Sequence, residues 1–70
     1  MKEEKFLESL GRRISDTRRT KSVKQSELAN RCEFGNASMS RIESGKANIT
    51  ILNLKKIADA LGVEMRELFF

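Results

Sequence analysis

"VKQSELANRCEFGNASMSRIESGK", residues 23–46, holds two short helical patterns divided by three residues, and how they are read decides the fold. In QSELANRC (25–32), Leu28, Ala29 and Cys32 recur at helical spacing, Gln25 stands at the start, and Glu27 occupies the first turn, where the helix dipole favours a carboxylate. The next pattern runs from about Gly35 or Asn36 to Ser44. Its buried side is marked by Met39 and Ile42, and Gly45 supplies the left-handed residue that ends it. Glu43, four residues after Met39, falls on that same buried side. A bare carboxylate there costs roughly several kcal/mol unless another charge meets it.

Upstream, Phe6, Leu10 and Ile14 recur every four residues and predict a helix from about Glu3 to Lys21. The next member of that stripe is Arg18. Arg18 and Glu43 are therefore each a charge where the neighbouring residues predict an apolar group, and the economical solution is that they face each other. A planar guanidinium can meet a carboxylate with two parallel hydrogen bonds. The alternative is that both tips reach past the core to water. Downstream, "ANIT" leads to Thr50, a good N-cap, and a fourth helix with Ile51, Leu54, Ile57, Ala58 and Leu61 on one side and Gly62 as its stop. A final turn or two, EMRELFF (64–70), is expected to bury Met65 and Leu68.

Seventy residues make one domain, spanning 1–70, which buries only about 60% of its unfolded surface, so help from a partner subunit is expected. Pro, Trp, Tyr and His are absent and aromatic residues make up only 6%, a composition that suits helices rather than sheet. With one cysteine, Cys32, neither an intramolecular disulfide nor a cysteine zinc site can form. The opening MKEEKFLESL has acids where a secretion signal needs a basic and then an apolar run, and no apolar stretch approaches the roughly 18 residues of a membrane span. A soluble, cytoplasmic protein with no membrane partner is expected.

The formal charge is +4, and its placement matters more than its size: residues 12–46 carry nine basic groups against four acids, so the middle of the chain is the basic part. A solvated face explains such a run as readily as a polyanion footprint does, and geometry has to separate them.

Residues 23–46, followed by NITILNLKKIADALGV (48–63), resemble the helix-turn-helix family of phage Cro and repressor proteins and their bacterial relatives, the XRE family. The resemblance runs from about Leu10 to Phe69 and rests on Gln25, Leu28, Ala29, Ser40, Arg41, Ile42, Glu43, Gly45, Ile57, Ala58, Leu61, Gly62, Val63 and Leu68. It implies an all-α, compact five-helix bundle in which residues of about 25–44 form the DNA-reading helix-turn-helix. It also implies an arginine of the first helix paired with the glutamate near the end of the third, matching Arg18 and Glu43. Function follows as an expectation: a sequence-specific transcriptional regulator of double-stranded DNA, with its third helix in the major groove of an inverted-repeat operator. A protein-interaction module of the same fold, antitoxin-like or coactivator-like, is the alternative.

On this reading the outward face of the third helix carries Ala37, Ser40, Arg41 and Ser44, with Asn36 leading. Short side chains let a helix sink into the groove, while Asn36 and Arg41 can reach base edges, so Asn36, Ala37, Ser40 and Arg41 are the base-reading candidates. A short polar face is also what any surface helix shows. Phosphate candidates are Lys24, Gln25 and Ser26, where the family often has a Ser or Thr cap in place of Lys24, together with Ser44, Lys46 and Asn48. Arg12, Arg13 and Arg19 are weaker candidates. Four departures stand out: Glu33 and Ser22 where the family commonly has Gly, Gly35 where it commonly has a Ser or Thr cap, and Thr17 where it buries an aliphatic residue. The turn is therefore expected to use Gly35 instead, or to lengthen by one residue.

No histidine, no accessible nucleophile and no paired carboxylates are present from which to build an enzyme site, so catalysis, a cofactor, a metal and a small-molecule ligand are not expected. Leu52 points away from Leu54 and Ala58, and with Ile49, Phe69 and Phe70 it leaves apolar surface at one end of the chain. A homodimer built on Ile49, Leu52, Phe69 and Phe70 is expected.

Overall fold

A computed structural model describes Lys2 to Phe69, so Phe70 lies outside the described residues. Four α-helices follow one another: α1 (Glu3–Thr20), α2 (Gln25–Cys32), α3 (Asn36–Glu43) and α4 (Ile51–Leu61). In place of a fifth helix the chain makes a single 3-10 turn, Met65–Leu68. No strand occurs among the described residues.

The periodicities place the core. Leu10 and Ile14 of α1, Leu28, Ala29 and Cys32 of α2, Met39 of α3, and Leu54, Ile57, Ala58 and Leu61 of α4 are all buried, and Leu68 of the 3-10 turn closes them over. Around this core α2 packs on both α3 and α4, while α1 crosses α3. Ala29 is fully buried, so a longer side chain there would overpack the core around α2. Both ends of the apolar stripes depart from expectation. Phe6 is 39% exposed and Ile51 66% exposed, because each begins its helix beyond the reach of the core, while Met65 is only half-buried.

All four helices stop in the same way. A residue in the left-handed region is followed by one whose N–H bonds back to the helix: Val23 to the Arg18 carbonyl at 3.0 Å, Phe34 to Ala29 at 2.8 Å, Lys46 to Arg41 at 2.8 Å and Val63 to Ala58 at 3.0 Å. This is the Schellman arrangement, and it satisfies carbonyls that the helix leaves open. The left-handed residues are Ser22 (φ 59°), Glu33 (φ 60°), Gly45 (φ 76°) and Gly62 (φ 71°). The expectation that the α2–α3 turn would use Gly35 or lengthen is thus corrected. Gly35 is an ordinary extended N-cap, and Glu33 itself takes the positive φ without an added residue. The two backbone bonds at the stop and the half-buried Phe34 behind it hold Glu33 there.

A non-glycine residue in that conformation costs about 1–2 kcal/mol, against which glycine loses about 0.5–1 kcal/mol of chain entropy. Glu33→Gly and Ser22→Gly are therefore each expected to raise stability by roughly 0.5–1 kcal/mol in urea unfolding. A loss of stability in both variants would show that neither residue is strained.

Candidate nucleic-acid interface

The seat of α3 comes first, since it aims every side chain on the helix. Arg18, 8% exposed, reaches across from α1 and meets Glu43 with two parallel bonds, Nε to Oε2 at 2.8 Å and Nη2 to Oε1 at 3.0 Å. Its remaining Nη1 donates to the Val23 carbonyl at 2.9 Å. Gln25, at the start of α2, donates from Nε2 to Glu43 Oε1 at 3.1 Å. One carboxylate thus receives bonds from α1 and α2 while standing on α3. The charge on the buried side of α3 is met as its position demands.

Two glycines complete the seat. A Cβ on Gly11 of α1 would lie 2.5 Å from the Ile42 carbonyl oxygen and 2.6 Å from that of Glu43. At Gly45 a Cβ would lie 2.6 Å from the Cα of Glu8. The end of α3 therefore rests directly on the backbone of α1, a contact the sequence reading missed. Its only sign in the sequence was a glycine in the middle of a helix.

With α3 fixed in this way, Asn36, Ala37, Ser40, Arg41 and Ser44 are all exposed. Three shallow depressions surround the helix. Ser26 and Asn30 of α2 share one with Asn36, and Arg12 and Arg19 of α1 share another with Ser44. The third, of about 390 Å³, gathers Ser38, Arg41, Asn48 and Asn53. Ser38 and Asn53 were not singled out from sequence, although the place of Ser38 on α3, next to Ala37, was a signal for it. Arg41 lies back over the end of its own helix and donates from Nη2 to the Lys46 carbonyl at 3.0 Å. Reaching a base from there takes a change of rotamer in an exposed side chain.

The helix starts carry open donors. Glu27 accepts the Lys24 N–H at 3.3 Å, but lysine offers no acceptor in return, so this capping box is one-sided. Gly35, at the start of α3, caps nothing. The first-turn N–H groups of α2 therefore have no side-chain cap, and Lys24 and Ser26 beside them are exposed. Lys46 and Asn48 are exposed beyond the other end of α3. Lys46 also breaks a pattern: the stops of α1, α2 and α4 follow the left-handed residue with Val23, Phe34 and Val63, all turned at least partly inward, whereas α3 places a lysine there.

Away from this face, Leu52 is 70% exposed and Phe69 39%, while Ile49 is half-buried against the core. Phe6, Leu7, Ile49, Ile51 and Phe69 line an apolar cleft of about 830 Å³. Leu52 does not line that cleft. Cys32 is buried, and burial pushes its thiol pKa up, with Lys56 opposing in part. Among the described residues no helix is long and apolar enough to cross a membrane.

Comparison with known proteins gives a consistent picture. The model of the HTH_3 helix-turn-helix family matches residues 14–68. Control protein C.MunI from a Mycoplasma species is 33% identical over 60 residues, which cover 84% of this chain and 81% of that protein. Control protein C.BamHI from Bacillus amyloliquefaciens is 36% identical over 59 residues, covering 83% of this chain and 73% of the relative. Among solved structures, the restriction-modification controller protein C.AhdI from Aeromonas hydrophila superposes with a TM-score of 0.87 at 33% identity, over 90% of this chain and 96% of its own.

Proposed function

The chain belongs to the HTH_3 helix-turn-helix family, of the XRE or Cro/repressor type, and on that footing we propose that it is a transcriptional regulator that binds double-stranded DNA with α3 in the major groove. The observation that carries this reading is the seating of α3. Its buried edge is pinned by Arg18, Gln25 and two backbone approaches, while its opposite edge presents Asn36, Ala37, Ser40 and Arg41 to solvent. Rigid support behind and short polar groups in front are what reading base edges requires. Lys24, the first-turn N–H groups of Gln25 and Ser26, Ser44, Lys46 and Asn48 hold phosphates on either side.

Similarity to the control proteins C.MunI and C.BamHI and to the restriction-modification controller C.AhdI supports a narrower role, control of restriction-modification genes. The working form is a homodimer joined through Ile49, Leu52 and Phe69, with Phe70 lying outside the described residues. Ile51 and the apolar cleft beside it extend that surface. Two copies of α3 then stand about 34 Å apart and read an inverted repeat.

Selection of bound sites from random duplex DNA tests the proposal, with sedimentation at micromolar concentration beside it. A palindromic site and a dimer are the expected results. No enrichment of any site would exclude sequence-specific reading, and a single half-site with a monomer in sedimentation would exclude the dimer alone.

Within the selected site, Arg41→Ala is expected to cost about 1–3 kcal/mol and to relax preference at one base pair. Lys24→Ala or Lys46→Ala should instead weaken every duplex equally and reduce the slope of log affinity on log salt by about 1. Unchanged affinity of Arg41→Ala for the selected site would remove Arg41 from the reading set.

A further inference from the structure

We infer that Gln25 is a positioning residue whose side chain acts on DNA recognition through Glu43 and not by touching DNA. The inference rests on the DNA-reading role proposed above. The side chain of Gln25 is half-buried and turned inward, and its Nε2 donates to Glu43 Oε1 at 3.1 Å. That oxygen already accepts Arg18 Nη2 at 3.0 Å, while Oε2 accepts Arg18 Nε at 2.8 Å. Every buried polar side-chain atom among the described residues has a partner, so the cluster has no slack to be taken up elsewhere.

The consequence is geometric. The start of α2 presents backbone N–H groups to a phosphate, and α3 presents side chains to bases. Specific binding needs both at once and in one register. Apolar packing of α2 on α3 sets the spacing of the two helices, but such contact is non-directional and leaves sliding and rotation soft. The Gln25–Glu43 bond joins the first residue of α2 to the last residue of α3, the pair of points that defines the angle of the unit. The second Nε2–H of the amide is the one donor of this side chain left to meet a phosphate, and comparing specific with non-specific duplexes tests whether it does. Non-specific binding depends mainly on basic side chains and tolerates imperfect geometry, so it should sense the bond less than specific binding does.

Gln25→Met keeps the length and loses the donor. Its affinity is to be measured on the selected site and on an unrelated duplex of equal length, at a temperature where circular dichroism shows parent and variant fully folded. The expected result is a loss of about tenfold on the selected site, the size of one hydrogen bond to a charged group, and a clearly smaller loss on the unrelated duplex. Equal losses on both would make Gln25 a direct phosphate ligand and overturn the inference. A lower unfolding midpoint with both affinities unchanged would reduce it to a structural contact and overturn the inference equally.

Should Gln25→Met fail to fold, the parent decides. Its ¹⁵N side-chain amide resonance is expected to keep its shift and its slow exchange when the selected DNA is added, and a large shift would overturn the inference. A parent that prefers no selected site would defeat the DNA-reading role itself. That outcome is distinct from a parent that selects normally and a Gln25→Met that selects equally well, which would defeat the positioning role alone.

Discussion

Arg18→Met is expected to destabilise the domain by about 3–5 kcal/mol, the cost of leaving one member of a buried pair without the other. The side chains of Arg18 and Glu43 are 10% and 6% exposed, so solvent screening reduces the figure little. Removing the guanidinium also orphans the Val23 carbonyl and leaves Glu43 with Gln25 as its one remaining side-chain donor. A chain of this length holds in total roughly 4–10 kcal/mol, so the variant should sit near its unfolding midpoint in buffer. Urea titrations are therefore best run with a stabilising osmolyte present in every sample. Glu43→Leu should lose a comparable amount. The double variant should recover part of it, since an apolar pair of similar volume is often no worse than a buried ion pair. A coupling energy near zero in that cycle would mean that the two charges do not support each other in solution.

The second large effect is expected at Gly11. An alanine there places its Cβ 2.5–2.6 Å from two carbonyl oxygens at the end of α3, and neither side of the contact is a flexible side chain. Either α1 moves off or α3 tilts. Overpacking costs typically 1–3 kcal/mol, and a backbone-to-backbone clash belongs at the upper end, about 3 kcal/mol. This outweighs the gain of about 1 kcal/mol that alanine would bring to an unobstructed helix interior. Serine, no larger at Cβ, should be as damaging. The unfolding midpoint decides: a Gly11→Ala variant as stable as the parent would show that α1 and α3 are not in the contact described.

Glycine 11 also shows where sequence reading stops. In the one-dimensional pattern it is a weak residue in a strong helix, because nothing local reveals that the end of another helix lies across it. Arg18 and Glu43 were different. Each broke an apolar stripe at a fixed spacing, so the cost of burying one charge was enough to predict the other. The faces of α1 to α4 were legible for the same reason: a 3.6-residue period is a local property of the chain. The ends of those faces were not. Phe6 and Ile51 continue their stripes in register yet lie beyond the core, and how far a core extends depends on which helices cross it.

The turns divide in the same way. Gly45 and Gly62 announced their left-handed conformation, since glycine takes it at no steric cost. Ser22 and Glu33 did not. Their own preferences run the other way, and sequence alone favoured Gly35 or an added residue. What holds them at positive φ is a pair of backbone bonds at each stop and the inward packing of Val23 and Phe34 behind them. Residue type and spacing were enough for α1 to α4, their buried sides, the Arg18–Glu43 pairing and the family. The seat of α3 on Gly11, the strained stops at Ser22 and Glu33, and the inward turn of Gln25 emerge only in three dimensions. These depend on contacts between distant segments that repay a local cost, and no local pattern records a cost repaid elsewhere.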